Sequence, residues 1–136
     1  MITNEIMVYF LAIMVSMGLV VALVFRLHFA LNEMESRICG IWSNNNNTLR
    51  ILIYNLNTEM KGEVVWNESS KEKIMGATVI RDMLITPFGC KGTYIDPVTQ
   101  DQYRFRLKLK KAGLLCIRLF EKGGQLKKME DWRLLK

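Results

Sequence analysis

The chain has 136 residues, half of them hydrophobic, and carries 19 Lys and Arg against 13 Asp and Glu, a formal net charge of +6. That length holds one domain and one extra element, which leaves no room for a second large domain. A single His and three Cys without a C-x-x-C spacing exclude a zinc ribbon or a dense disulfide framework.

The first element is apolar. From Ile6 to Phe25 the run IMVYFLAIMVSMGLVVALVF contains 20 residues without a formal charge. At about 1.5 Å per residue, a helix of this length spans roughly 30 Å, the thickness of a bilayer's hydrocarbon core. Only Tyr9, Ser16 and Gly18 interrupt the run. A cleaved signal peptide would have a basic start, a shorter apolar core and small residues at its exit. Here Met1-Ile2-Thr3-Asn4-Glu5 has no cation, and the exit reads Arg26-Leu27-His28-Phe29. The expectation is therefore an uncleaved single-pass transmembrane helix. Arg26 and Arg37 on its C-terminal side favour a cytoplasmic domain by the positive-inside rule, with Glu33 and Glu35 between them. Two small-xxx-small pairs, Ala12 with Ser16 and Gly18 with Ala22, are candidate helix-packing positions.

Leu27, Leu31, Met34 and Ile38 continue the helical spacing, so residues 1–38 form one unit: a span of about 6–25 with a juxtamembrane extension. Gly40 suits the end of that helix. Residues 39–136 change period. The run Leu49–Tyr54 is a strand, and Glu59–Trp66 follows a turn at Asn55-Leu56-Asn57 and is closed by Asn67-Glu68-Ser69-Ser70-Lys71. Ala77–Ile85 ends at Pro87-Phe88-Gly89, and Gly92–Ile95 leads into the turn Asp96-Pro97-Val98-Thr99. Gln102–Lys110, Leu114–Phe120 and Leu126–Leu135 complete the pattern around turns at Ala112-Gly113 and Gly123-Gly124. Short strands with turns every 8–12 residues and no interposed helix predict an antiparallel meander of seven or eight strands, forming a small barrel or a strongly curled sheet. Eight strands enclose an interior that their own side chains about fill or that holds one small ligand. Asn44-Asn45-Asn46-Asn47, between Trp42 and the first long strand, reads as a corner loop, since Asn adopts left-handed turn conformations.

Period two places Tyr103, Phe105, Leu107 and Leu109 on one face of their strand and Arg104, Arg106, Lys108 and Lys110 on the other. Arg118 on the next strand extends this candidate cationic interaction face. From Ile38 onward there are 17 Lys and Arg against 10 Asp and Glu, so the face belongs to a wider basic bias. It is either a solvated outer face or a surface for anionic lipid head groups, an acidic protein or an anionic ligand. Nucleic acid is not expected, because the aromatics face away from the cations.

No catalytic set is visible: the single His28 abuts the span, and no G-x-S-x-G, H-E-x-x-H, P-loop or dinucleotide fingerprint occurs. No motif calls for a cofactor or metal. Asp82, Asp96, Asp101, Glu121, Glu130 and Asp131 fall mostly at turns, and Asp96 is expected to accept hydrogen bonds from the backbone just after it. The cysteines Cys39, Cys90 and Cys116 read as small, partly buried thiols, with a Cys90–Cys116 disulfide open in an oxidising compartment.

Gly40-Ile41-Trp42 at the start of the first strand resembles the opening of lipocalin-like barrels. In those barrels the Trp closes the floor and an Arg near the end of the last strand packs over it, which implies a barrel-closing pair Trp42 and Arg133. The order Gly40-Ile41-Trp42, Gly62-Glu63-Val64-Val65-Trp66, Gly76-Ala77-Thr78-Val79-Ile80, Gly92-Thr93-Tyr94-Ile95-Asp96-Pro97 and Trp132-Arg133 resembles the bacterial DUF2147 family across most of residues 40–136. That resemblance implies a lipocalin-like fold and export to the periplasm, against the direction set by Arg26; it implies no established biochemical role. Departures are the retained anchor and Pro87-Phe88-Gly89-Cys90-Lys91 in place of a Gly/Trp-rich stretch. The resulting expectation is a non-catalytic, membrane-anchored accessory or interaction module, more periplasmic than cytoplasmic, that meets membrane-protein partners through its helix or basic face. The alternative is a binding protein for a small apolar or anionic ligand such as a lipid, with Trp66, Tyr94, Tyr103 and Arg106 at its mouth.

Overall fold

The computed structural model describes residues 3–69 and 72–136; the start of the expected cation-free N-terminal segment, Met1 and Ile2, and Ser70 and Lys71 of the turn after Trp66 lie outside the described residues. Helix α1 runs from Asn4 to Ile38. Thr3 caps it, its hydroxyl oxygen accepting from the Ile6 amide at 3.4 Å, and Glu5 lies in the first turn where the helix dipole favours an anion. In the last turn Arg37 pairs with Glu33 one turn back. By length and composition α1 can cross a membrane, and none of its apolar stretch is buried by the rest of the chain.

Helix α1 ends because Cys39 turns extended (φ −63°, ψ 132°), its amide still reaching the Glu35 carbonyl at 3.0 Å. Gly40 therefore does not terminate the helix. It opens the first strand with φ +147°, where a Cβ would stand 2.7 Å from the Lys136 carbonyl oxygen. Only glycine lets the chain start so close to its own C-terminus.

Eight strands follow: β1 (Gly40–Ser43), β2 (Leu49–Leu56), β3 (Glu59–Asn67), β4 (Thr78–Thr86), β5 (Gly89–Ile95), β6 (Gln102–Lys111), β7 (Leu114–Phe120) and β8 (Leu126–Leu134). They pair antiparallel in chain order, and β8 closes on β1 through Trp42↔Leu134 and Ser43↔Arg133. Closure removes both sheet edges, which a short meander would otherwise expose. Two details differ from expectation. A 3₁₀ turn, Glu72–Ile74, interrupts the β3–β4 connection. Strand β5 starts at Gly89 and not Gly92, because Gly89 pairs with Thr86 at φ +150° while the Leu107 carbonyl oxygen would lie 2.5 Å from any Cβ.

The corner after β1 is held by its own side chains. Asn44 accepts from the Thr48 and Leu49 amides at 2.8 and 3.0 Å, and Asn47 takes a left-handed conformation (φ 54°) while accepting the Ser43 hydroxyl at 2.8 Å. Asp96 acts as expected, accepting from the Val98 and Thr99 amides at 2.9 and 3.1 Å.

Alternate strand residues fill the interior. Trp42, Ile51, Ile53, Val64, Ile80, Phe105, Leu107, Leu115, Ile117 and Trp132 are at most 1 % exposed. The β2–β3, β4–β5 and β6–β7 turns, the start of β1 and the C-terminus share one end of this antiparallel barrel. At that end the last turns of α1 pack against β4, with Ile38 fully buried and Met34 on the core. The Trp42 indole donates to the Ile38 carbonyl at 2.7 Å, and the Asn55 amide donates to the Glu35 carboxylate. Helix and barrel are thus joined by packing as well as by covalent chain.

A basic groove as candidate functional site

Strands β6 and β7 sort their residues by face. Phe105, Leu107, Ile117 and Leu119 point inward and are buried; Arg104, Arg106, Lys108, Lys110 and Arg118 are exposed on the outside. The register then brings cations together across strands: Arg106 lies opposite Arg118 on one side and opposite Lys91 on the other. Directly paired residues stand about 5 Å apart, and like charges so placed are destabilising. Among the described residues neither Lys91, Arg106 nor Arg118 has a carboxylate within ion-pair distance. Lys110 does, bonding Asp131 at 2.9 Å across β7. That hydrogen bond holds the Lys110 ammonium above its ordinary pKa.

These side chains border an open groove of about 840 Å³ over β5–β8, lined by Lys91, Arg106, Lys108, Lys110, Cys116 and Arg118. Two exposed apolar residues also line it: Phe88, 87 % exposed at the β4–β5 turn, and Met129, which lies opposite Arg118 on β8. Four of the five residues expected on the cationic face therefore converge. Arg104 is one cross-strand row away, opposite Thr93 and Phe120, and does not line the groove. Sequence reasoning missed Lys91, Phe88 and Met129. Lys91 was findable: counting back from the Asp96–Asp101 turn pairs residue 95 with 102, and hence 91 with 106.

The expected ligand mouth is not one site. Tyr94 and Tyr103 are cross-strand partners facing inward, and the Tyr94 ring sits 6.4 Å from that of Trp132. Arg106 is an odd number of residues from Tyr103 and so faces the opposite side of the strand. Trp66 lies elsewhere, beneath the Arg50 guanidinium at 4.5 Å. The expected Trp42–Arg133 closure is also corrected. Trp132 points inward, so its neighbour Arg133 is exposed outside. Trp42 is sealed instead by Ile38, and the cation–π contact forms at Arg50 and Trp66.

Glu130 is a further correction, since it sits within β8 and not at a turn. It faces inward with its side chain 10 % exposed, accepting from the Trp132 indole at 2.7 Å and lying 3.3 Å from the Lys128 ammonium. It helps, after burial itself and with Asp96, to push the Tyr94 hydroxyl up.

The expected helix-packing positions meet no other part of the chain. Ala12, Ser16, Gly18 and Ala22 are all exposed, and the apolar stretch that carries them is not buried against any other part of the chain. Gly18 has open space around it. At roughly 100° per residue, the pair Gly18 and Ala22 is centred about 120° around the helix from the pair Ala12 and Ser16. The four therefore do not make one narrow seam. Ala22 packs against nothing in this structure, and it shares a face with Gly18 but not with Ser16.

The three cysteines are free. Cys90 faces the core while Cys116 faces the groove, so strand parity separates the two thiols that a disulfide would join. Burial pushes the Cys90 thiol up to about 12, which keeps it protonated and poorly nucleophilic at neutral pH. Among the described residues no three His, Cys, Asp or Glu side chains converge to hold a metal ion.

The groove can bind anions electrostatically. No protein-family model matches the chain, and no curated protein or solved structure matches it.

Proposed function

We propose that the chain is a single-pass membrane protein whose barrel is a non-catalytic interaction module, an accessory subunit held beside other proteins of a bacterial membrane. Helix α1 serves as the permanent anchor, consistent with its length, its apolar composition and the exposure of its apolar stretch. The barrel acts on the outside, because its inside is filled by Trp42, Phe105, Trp132 and their neighbours. The observation that carries this reading is the row Lys91–Arg106–Arg118, whose mutual repulsion no carboxylate within ion-pair distance offsets among the described residues. The resemblance to exported DUF2147 domains supports a periplasmic position for the barrel.

A second reading, a binding protein for an anionic amphiphile such as a lipid, draws support from Phe88 and Met129 on the same groove. Charge reversal tests the primary reading. Arg106→Glu with Arg118→Glu is expected to release co-purifying membrane proteins while the barrel stays folded by tryptophan fluorescence. Unchanged co-purification would sink the groove as the contact surface.

A further inference from the structure

The groove combines two features that a partner must match together. One is the ladder Lys91–Arg106–Arg118, three cations abreast on adjacent strands, with Lys108 beside it. The other is apolar surface at its borders: Phe88 at 87 %, Met129 at 57 %, and Leu84, opposite Lys91, at 55 % exposure. A soluble polyanion would neutralise the ladder and leave these apolar side chains in water. A phospholipid surface offers anionic phosphate and apolar chain side by side, the composition that basic, aromatic-bearing interfacial segments exploit.

Position argues the same way. Phe88 sits in the β4–β5 turn, at the barrel end where α1 packs against β4 and Ile38 is buried. Between Phe25 and Ile38 the helix rises about 20 Å, so a tilt of α1 brings that end of the barrel to the head groups. Tethering makes the encounter intramolecular, and a weak electrostatic contact then suffices.

We propose that the β5–β8 groove docks on the surface of the bilayer that α1 spans, taking anionic phospholipid head groups on Lys91, Arg106 and Arg118 and seating Phe88 in the interface. This rests on the anchoring part of the proposed function, and not on the existence of a protein partner. Docking relieves the like-charge row, so anionic lipid stabilises the folded barrel by binding it and not the unfolded chain.

The test uses the full chain in phosphatidylcholine vesicles and in vesicles with phosphatidylglycerol replacing part of the phosphatidylcholine, at equal ionic strength. Barrel unfolding is followed by the emission of buried Trp42 and Trp132. Anionic lipid is expected to raise the midpoint by about 4–8 °C, an effect that falls at high salt. Arg118→Gln and Lys91→Gln each shrink the increment and together abolish it. Lys122→Gln, which removes an equal charge in the β7–β8 turn, keeps it. No increment in the unmodified chain, an increment that survives the double variant, or equal loss with Lys122→Gln would each overturn the proposal. Resistance to alkaline carbonate extraction from pure phosphatidylcholine vesicles reads anchoring separately. A chain extracted there contradicts the anchor and the docking together; a retained chain without the lipid increment contradicts the docking alone.

Discussion

The inner and outer faces of β6 and β7 share a backbone and obey opposite rules. Inside, Phe105, Leu107, Ile117 and Leu119 alternate with no exception, and each gains by leaving water. Outside, the same register sets Arg106 against Arg118 and Lys91, an arrangement that lowers stability. A solvated surface has no need to stack like charges in one row, when a carboxylate at any of the three positions would have stabilised the sheet. Folding accounts for the inner face; the outer row works against it, and among the described residues no carboxylate lies within ion-pair distance of Lys91, Arg106 or Arg118.

The comparison can be broken most forcefully from inside. Phe105→Ala is expected to destabilise the barrel by about 3–5 kcal/mol in urea unfolding, since the side chain is 1 % exposed in a filled interior. A much smaller loss would mean that the interior is loosely packed and could admit a ligand. Ile38→Ala, which removes the helix residue seated on the barrel end, should cost about 2–5 kcal/mol. Phe25→Ala on the same helix is 70 % exposed and should leave barrel stability unchanged.

Alkali gives an intermediate effect with a definite sign. The Cys90 thiol ionises at about 12 in the folded barrel against an ordinary 9.0. Above pH 9 the unfolded chain therefore binds fewer protons than the folded one, and stability falls as pH rises towards 12. The slope contributed by this thiol is up to about 1.4 kcal/mol per pH unit. Urea titrations of the unmodified chain and of Cys90→Ala over that range should differ in slope; parallel lines would show that the thiol is not enclosed. Tyr94, pushed up in the same direction from an ordinary 10.0, adds to the decline from about pH 10 upward in both chains.

The smallest effect concerns the outer face. Arg118→Gln should stabilise the barrel in neutral surroundings by about 0.2–1 kcal/mol, because it removes repulsion from Arg106. A destabilisation of that size would mean that Arg118 has a stabilising partner, and the outer row would then be an ordinary solvated surface.

Much of this architecture is legible in the sequence because strand periodicity and turn chemistry are local. The runs 49–54, 102–110 and 114–120 announce their strands, and Asn44–Asn47 and Asp96 behave as their side-chain chemistry dictates. What escaped was set by closure and register. Gly40 looks like a helix stop until the C-terminus is seen against it. Glu130 looks like a turn acid until β8 turns it inward beside Trp132 and Lys128. Arg133 follows the resemblance in sequence but not in space, because its odd spacing from the inward positions of β8 sends it outside. The basic strand was visible; the groove needed Lys91 and Phe88 from a neighbouring hairpin, and the tyrosines of the expected mouth belong to the opposite face.

Native mass spectrometry of the full chain, gently extracted from its own membrane, tests the central claim most directly. An outward-acting accessory module appears bound to a second protein chain, and that complex dissociates in the Arg106→Glu, Arg118→Glu variant. A monodisperse lone chain carrying a small molecule within a folded barrel would contradict it.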